Sequence, residues 1–361
     1  MAAAVVGRDT ELVAVWDLVD ARSEDGPAGL ALWGDAGIGK SKIWRAGVSR
    51  AGERGRRVLA CQPTAAEIRL SYSGLTDLLA DVPSAAFDGL TAPQRRALDA
   101  ALLLDDHDDR GPDQRAVAAA FLSILNDEAC AAPVLVAIDD VQWLDEPTWR
   151  VVAYAMRRCR GPVRLLTAER ASEVTDSSRG LLCTPDPSQM VSMRLGPLSV
   201  GALHQVLRNE TGRSLSRPTM VRIAALTSGN PFYALEVVRS LPRVASGPVH
   251  LPSSTDGIVR DRLETLDPSV RDALLVASAV ADPRLELVKR ACGAADVAGL
   301  LSSAEESGLV EFVDGRIRFS HPLWANTVYN EATPNQRRVL HRRLSGLVGD
   351  LEERARHLAL S

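Results

Sequence analysis

Gly34-Asp35-Ala36-Gly37-Ile38-Gly39-Lys40-Ser41 is the stretch that decides how this chain is read. It matches the phosphate-binding P-loop pattern G-x-x-x-x-G-K-[ST] at every fixed position. Its flanks agree with the pattern. Leu30-Ala31-Leu32-Trp33 is an apolar run that reads as a buried strand, and Lys42-Ile43-Trp44-Arg45-Ala46 opens a helical pattern. Glycines let backbone N–H groups curl around phosphates, and the N-terminus of the following helix adds a favourable dipole. Lys40 supplies a compact positive charge for the outer phosphates, and the Ser41 hydroxyl is a ligand suited to Mg2+. Only Lys40, Lys42 and Lys289 among the 42 basic residues are lysines; the rest are arginines. A lysine at this position in so arginine-rich a chain points to a need for a small ammonium. The stretch implies nucleotide binding by Gly34, Ala36, Gly37, Ile38, Gly39, Lys40 and Ser41.

With 361 residues the chain has room for about two or three domains. Its 46% hydrophobic and 24% charged content is that of an ordinary globular protein. A net charge of −4 gives no overall nucleic-acid footprint. The five cysteines are widely spaced and form no C-x-x-C pair, which argues for reduced thiols in a cytoplasmic protein and against a zinc site. No apolar run reaches the roughly 18 residues of a membrane span. The apolar start, Met1 to Val6, is too short for a signal peptide. His107, set among Asp105, Asp106, Asp108 and Asp109, reads as part of a solvated acidic loop, since no partner ligands with metal spacing accompany it.

From Val6 to about Arg170 strands and helices alternate. After the P-loop strand, Arg57–Cys61, Pro133–Ile138 and Pro162–Thr167 read as strands, with Val191–Leu195 completing the set. Helical segments between them predict an α/β fold, a parallel sheet covered on both faces. From Ser199 helices take over: Gly201–Thr211, Arg217–Leu226, and a third ending at Leu241 after the break Thr227-Ser228-Gly229-Asn230-Pro231. Beyond the linker Ser246-Gly247-Pro248, helices near 255–266, 268–280 and 296–307 precede a hairpin. Its strands, Leu309–Val313 and Arg316–Phe319, meet at the turn pair Asp314-Gly315. Helices followed by a hairpin suggest a winged helix. The expected domains are a P-loop domain over 1–198, a helical subdomain over 199–245 and a winged-helix domain over 246–335. The remainder, 336–361, is expected to be one helical stretch from Gln336 to Leu360, the cut start of a repeat-like region.

A phosphate cradle needs a metal-holding acid and a group to direct water. Asp139 and Asp140 leave the apolar strand where Walker B carboxylates sit. Asp139 is the candidate to hold Mg2+, and Asp140 the candidate to orient or deprotonate the attacking water. The bland alternative for the pair is a carboxylate turn or helix cap. Thr167 and Arg170 end the next strand, where a polar or cationic group reads the γ-phosphate, unless Arg170 is only a surface arginine. Arg157, Arg158 and Arg160 read better as a solvated helix end than as a finger acting on a neighbouring subunit. His321 follows the second hairpin strand, and a lone histidine is more often structural.

Together these residues resemble the signal-transduction ATPases with numerous domains (STAND), in particular the large ATP-binding LuxR-type transcriptional regulators related to the maltose regulator. Val6-Gly7-Arg8-Asp9 is similar to that family's opening motif near the adenine. Ile138-Asp139-Asp140-Val141-Gln142-Trp143-Leu144-Asp145 resembles its Walker B region, and Leu195-Gly196-Pro197-Leu198-Ser199 its junction to the helical subdomain. Gly229-Asn230-Pro231-Phe232 is similar to the motif whose proline packs on adenine, and Phe319-Ser320-His321-Pro322-Leu323 to the one whose histidine contacts the β-phosphate of ADP. The resemblance implies an AAA/STAND-type sheet, a helical subdomain and a winged helix. It also implies ATP/ADP and Mg2+ as ligands, with Val6, Gly7, Arg8, Pro231 and His321 around the nucleotide and Arg170 near the γ-phosphate. Slow hydrolysis would reset a switch that self-associates with ATP. Family members continue into a helical-repeat sensor and a LuxR-type helix-turn-helix, neither of which is in these residues. Any DNA contact is therefore expected through that segment, and no membrane contact is expected. Two other readings remain: an AAA-like ATPase whose steady turnover drives remodelling, and a nucleic-acid binder using Arg316 and Arg318 of the wing, against which the acidic net charge counts.

Overall fold

Five parallel strands order the first part of the chain, as seen in a computed structural model that describes residues 5–21, 28–104, 111–170, 189–241, 260, 262–293 and 296–361. The acidic loop with His107 and the Ser246–Pro248 linker lie outside the described residues. The chain divides into two units, Met1–Gly196 and Pro197–Ser361.

In the first unit β1 (Gly29–Gly34), β2 (Arg57–Cys61), β3 (Val134–Ile138), β4 (Val163–Arg170) and β5 (Met190–Arg194) lie in the order β2-β3-β4-β1-β5. Helices α1 (Asp9–Asp20), α2 (Lys40–Glu53), α3 (Ser73–Leu79), α4 (Ala92–Ala101), α5 (Gln114–Ala131) and α6 (Glu146–Met156) cover it. The strand period of two sorts side chains onto two cores. Ala31, Val134, Val136, Ile138 and Leu165 pack with Leu75, Phe121 and Val152 of α3, α5 and α6. Leu30, Leu32, Leu135, Ala137 and Leu166 pack with Leu18, Ile43 and Trp44 of α1 and α2. Helix α2 comes so near the sheet that a Cβ on Gly47 would stand 2.7 Å from Val15 and 2.8 Å from Leu166. Strand β4 reaches Arg170, beyond its apolar run, because its pairing with β1 continues to Gly34 opposite Arg170. That register brings the ends of β1, β3 and β4 to one edge, where open α/β sheets bind ligands.

The second unit opens with three helices, α7 (Val200–Thr211), α8 (Arg217–Leu226) and α9 (Pro231–Ser240). Ser199, Ser216 and Asn230 cap them by accepting from early backbone N–H groups. Leu203, Leu207, Met220, Ile223, Ala234 and Val237 form their core. The expected helix near 255–266 lies partly outside the described residues. Helices α10 (Pro268–Ala279), α11 (Leu285–Cys292) and α12 (Val297–Glu306) then precede the antiparallel hairpin β6 (Val310–Val313) and β7 (Arg316–Phe319). Asp314 and Gly315 both take positive φ, 51° and 74°, as a tight hairpin turn requires. Three helices follow: α13 (Pro322–Glu331), α14 (Pro334–Ser345) and α15 (Leu351–Ala359).

Helices α11 and α13 were not anticipated, and the single stretch Gln336–Leu360 is in fact two helices. Asp350 accepts from the Glu353 N–H at 2.7 Å and starts a new helix, after a break that includes Gly346 and Gly349. Leu340 and Leu344 of α14 share one core with Leu274, Leu301, Ile317 and Trp324, so this segment packs with the hairpin.

Among the described residues this unit holds two buried polar networks. Glu236 of α9, 1% exposed, accepts from Arg239 at 3.0 Å and from Arg262. Arg262 also donates to the Ser307 carbonyl and lies 5.7 Å over the Trp324 ring. In the second network His341 Nδ1 and His357 Nδ1 are 2.8 Å apart, and Tyr329 Oη is 2.7 Å from His341 Nε2. His357 Nε2 is 3.8 Å from Glu353 Oε1, which accepts from the Ala281 N–H at 2.9 Å. Burial first, then the nearby Arg356, pushes both imidazoles down to about 4; Arg337 adds to this at His341, and His341 itself at His357.

Candidate functional site

The site starts from the turn between β1 and α2. Gly34, Gly37 and Gly39 have φ of 154°, 78° and 107°, a region that disfavours residues with a Cβ. At Gly34 a Cβ would also meet the Leu195 carbonyl at 2.8 Å. Lys40 opens α2 and is 6% exposed; its ammonium donates to the Gly34 and Asp35 carbonyls, each at 2.9 Å. Burial lowers its pKa, opposed by the charges of Asp140, Asp139 and Asp35 and reinforced by Arg170. The two Walker B acids and the arginine at the end of β4 are thus all within electrostatic reach of the P-loop lysine.

Asp139 leaves β3 fully buried. Its carboxylate accepts from the Asp140 N–H and from Gln62 Nε2, both at 3.0 Å, and hydrogen-bonds the Ser41 hydroxyl. Burial first and the Asp140 charge second raise its pKa, while the Ser41 and Gln62 bonds hold it down. A hydroxyl and a carboxylate in contact are hard oxygen donors of the kind Mg2+ takes, and a cation would offset the burial that disfavours this charge. Ser41 and Asp139 fit the implied metal.

Asp140 sits in the left-handed region, φ 44° and ψ 50°, which a short polar side chain tolerates better than most. The chain then folds into a short 3-10 turn, Val141–Trp143, so that Gln142 Nε2 reaches Asp140 Oδ1 at 2.7 Å. Gln142 Oε1 accepts the Arg170 N–H at 3.0 Å, and the Arg170 guanidinium lies 5.3 Å over the Trp143 ring. Thr167 is fully buried, and its hydroxyl has no hydrogen-bond partner. Asp145 has a different task. Its carboxylate accepts from the N–H groups of Tyr72 (2.8 Å), Gly74 (3.1 Å) and Thr148 (2.9 Å), joining the start of α3 to that of α6.

Val6 and Gly7 form the turn into α1, with Gly7 at φ 68°. Arg8, 5% exposed, donates to the Ile38 carbonyl (2.9 Å), the Gly196 carbonyl (2.8 Å) and Glu11 (3.0 Å). It ties the P-loop to the exit of β5. Arg157, Arg158 and Arg160 are exposed, and Arg158 lies 3.9 Å over Tyr154 while donating to that residue's carbonyl, as a solvated helix end does.

A second constellation lies in the second unit. Asn230 caps α9 by accepting from the Phe232 N–H at 3.1 Å, and the Phe232 ring stacks on His321 with centroids 4.3 Å apart. Phe232 also meets Trp324 edge-on at 5.8 Å. The two motifs carrying Pro231 and His321 are therefore in contact through Phe232. Sequence reasoning gave no role to Gln62 or Gln142. Gln62 directly follows β2 and so emerges beside Asp139, a position that strand order alone would have flagged. Among the described residues no cluster of three or more His, Cys, Asp or Glu has metal-site geometry. No helix among them is long and apolar enough to cross a membrane.

Residues 4–167 match the family model described as AAA ATPase domain. The first unit is accordingly an AAA-type P-loop ATPase domain on a five-stranded parallel sheet. Over 390 aligned residues the chain is 24% identical to an uncharacterized protein of Rhizobium meliloti (strain 1021), covering 95% of this chain and 37% of that protein. A STAND protein with a tetratricopeptide repeat sensor from Pyrococcus horikoshii superposes with a TM-score of 0.59 at 14% identity, over 94% of this chain and 44% of that one. Cdc6p from Pyrobaculum aerophilum superposes more loosely, with a TM-score of 0.43 at 13% identity over 96% of each chain. The chain spans less than half the length of the Rhizobium and Pyrococcus proteins.

Proposed function

We propose that this chain is a nucleotide-operated regulatory switch that binds ATP or ADP with Mg2+ and hydrolyses ATP slowly. The observation that carries the reading is the convergence of Lys40, Ser41, Asp139, Asp140 and Arg170 at one sheet edge. In this reading the backbone N–H groups of the P-loop and the Lys40 ammonium bind the phosphates. Ser41 and Asp139 hold the metal, which when bound neutralises phosphate charge. Asp140 takes or orients the proton of the attacking water, and Arg170 reads the γ-phosphate at the strand end.

Pro231 and His321 complete the switch by holding ADP, a role supported by the motif resemblance and by their contact through Phe232. ATP and ADP shift such an equilibrium only by their differential affinity for its two states, typically ~1–3 kcal/mol. Nucleotide-dependent self-association follows as the output. Membership of the LuxR-type regulators rests on the motif resemblance. The superposition on a STAND protein with a repeat sensor agrees with the broader class.

The test identifies the nucleotide released on denaturation and measures turnover. Retained ADP with turnover far below the ~10 s−1 of a typical enzyme supports the switch. His321→Ala should then release ADP faster, and an unchanged release rate would remove His321 from the mechanism. A second reading, an AAA-like ATPase with steady turnover, draws on the family match over residues 4–167. Rapid cycling that collapses in Asp140→Asn would favour it.

A further inference from the structure

We propose that Gln142 is a positioning residue that ties Asp140 to Arg170, so that one short turn sets both the water-orienting carboxylate and the arginine that reads the γ-phosphate. The inference rests on the reading of Asp140 and Arg170 given above. Its geometry is two-sided. Gln142 Nε2 donates to Asp140 Oδ1 at 2.7 Å, and Gln142 Oε1 accepts the Arg170 N–H at 3.0 Å. The chemistry of the partners permits only this orientation of the amide. A backbone N–H can only donate, so the atom facing Arg170 is the oxygen; a carboxylate accepts, so the atom facing Asp140 is the nitrogen.

The turn itself is closed by the Trp143 N–H, which donates to the Asp140 carbonyl at 2.9 Å. The left-handed backbone at Asp140 bends the chain so that residue 142 can reach back to residue 140. Trp143 makes a second contact to the same target, its ring lying under the Arg170 guanidinium at 5.3 Å. One amide therefore ties the carboxylate of Asp140 to the backbone of the strand end that carries Arg170. With Oδ1 engaged, the other carboxylate oxygen is oriented for the water. The bridge supplies what a shorter or apolar side chain at 142 could not: a fixed relation between the water-orienting carboxylate and the strand end that carries Arg170.

Two variants separate positioning from simple loop packing. Gln142→Glu keeps an acceptor for the Arg170 N–H but sets a carboxylate against Asp140. Gln142→Met keeps the length and packing of the side chain and loses both bonds. The readouts are the single-turnover rate of ATP hydrolysis and the affinities for fluorescent ATP and ADP analogues, with melting temperature as a check on folding. The expected result is a rate ~10–100-fold lower in both variants, the scale of a misplaced catalytic group. ADP affinity should stay within about two-fold, and the ratio of ATP to ADP affinity should shift by more than about three-fold in Gln142→Met. An unchanged rate and ratio would overturn the proposal. So would a parallel fall of both affinities with the melting temperature, which would mark Gln142 as loop packing. A wild-type protein that hydrolyses no ATP would overturn the proposed function and this inference together, whereas hydrolysis indifferent to residue 142 removes the inference alone.

Discussion

Acidification should destabilise the second unit through the buried pair His341 and His357, and the size of the effect follows from their surroundings. The imidazoles are 1% and 0% exposed, and their folded pKa values are pushed down to about 4, against about 6.5 for a free histidine. The folded values lie below the unfolded ones, so the unfolded chain takes up protons first. Stability from the pair is complete above pH ~6.5 and is lost as the pH falls toward ~4. A gap of this size is worth about 3 kcal/mol per imidazole, and two titrating together would give a slope approaching ~2.7 kcal/mol per pH unit. At pH ~6.5 each unfolded histidine is half protonated, so the slope there is nearer one proton than two. The Nδ1···Nδ1 contact couples the two folded-state protonations and is felt only near pH 4. Arg356 faces both rings and Arg337 faces His341, and both oppose protonation. Glu353 acts in the other direction. Its pKa is raised, chiefly by burial, so its share of stability is full below its unfolded value and lost as pH rises through the folded one. Two of the six histidines should show imidazole NMR signals that stay neutral down to pH 5, with urea midpoints falling between pH 6.5 and 4.5. The reasoning fails if all six titrate near 6.5, or if replacing His341 with Gln and His357 with Leu leaves the pH slope unchanged.

Asp145→Ala removes a buried carboxylate that serves three backbone N–H groups across two helices, and should cost roughly 3–5 kcal/mol in chemical unfolding. Gly47→Ala tests close packing against helix propensity. Alanine gains about 1 kcal/mol of propensity, but its Cβ collides with Val15 and Leu166, so a net loss of ~1–2 kcal/mol is expected in the same assay. Asp139→Asn relieves a carboxylate whose charge burial disfavours. The nucleotide-free protein should melt at the same temperature or higher, while calorimetry shows ATP affinity no longer responding to Mg2+.

The sheet was legible because its strands are dense apolar runs bounded by turns, and β2 was read at its observed limits. The P-loop was legible because phosphate binding constrains both residue type and spacing. Less visible was anything set by register. Arg170 was expected at the end of β4, but its pairing opposite Gly34 of β1 was not, since periodicity within one strand carries no information about its neighbour. Helix α11 escaped notice as a short segment of only eight residues, and α13 because it follows directly on the Ser320-His321 turn. Gln142 stood inside the most family-specific string, yet its two partners lie two residues before it and 28 residues after it. A pairing of that kind is written in the fold, and the amide gives no sign of it in the sequence.

Lys40 is held by two carbonyls of the loop it serves, which uses two of the three N–H bonds of its ammonium. A lysine on the surface carries ~2 kcal/mol of rotamer entropy that a ligand must remove when it binds. Here folding has already removed it. The ammonium stands as a tripod with two feet on Gly34 and Asp35, and in the proposed switch its third N–H is the one offered to the phosphates. A planar guanidinium cannot reproduce that stance, so Lys40→Arg would keep the charge and still lose the fit.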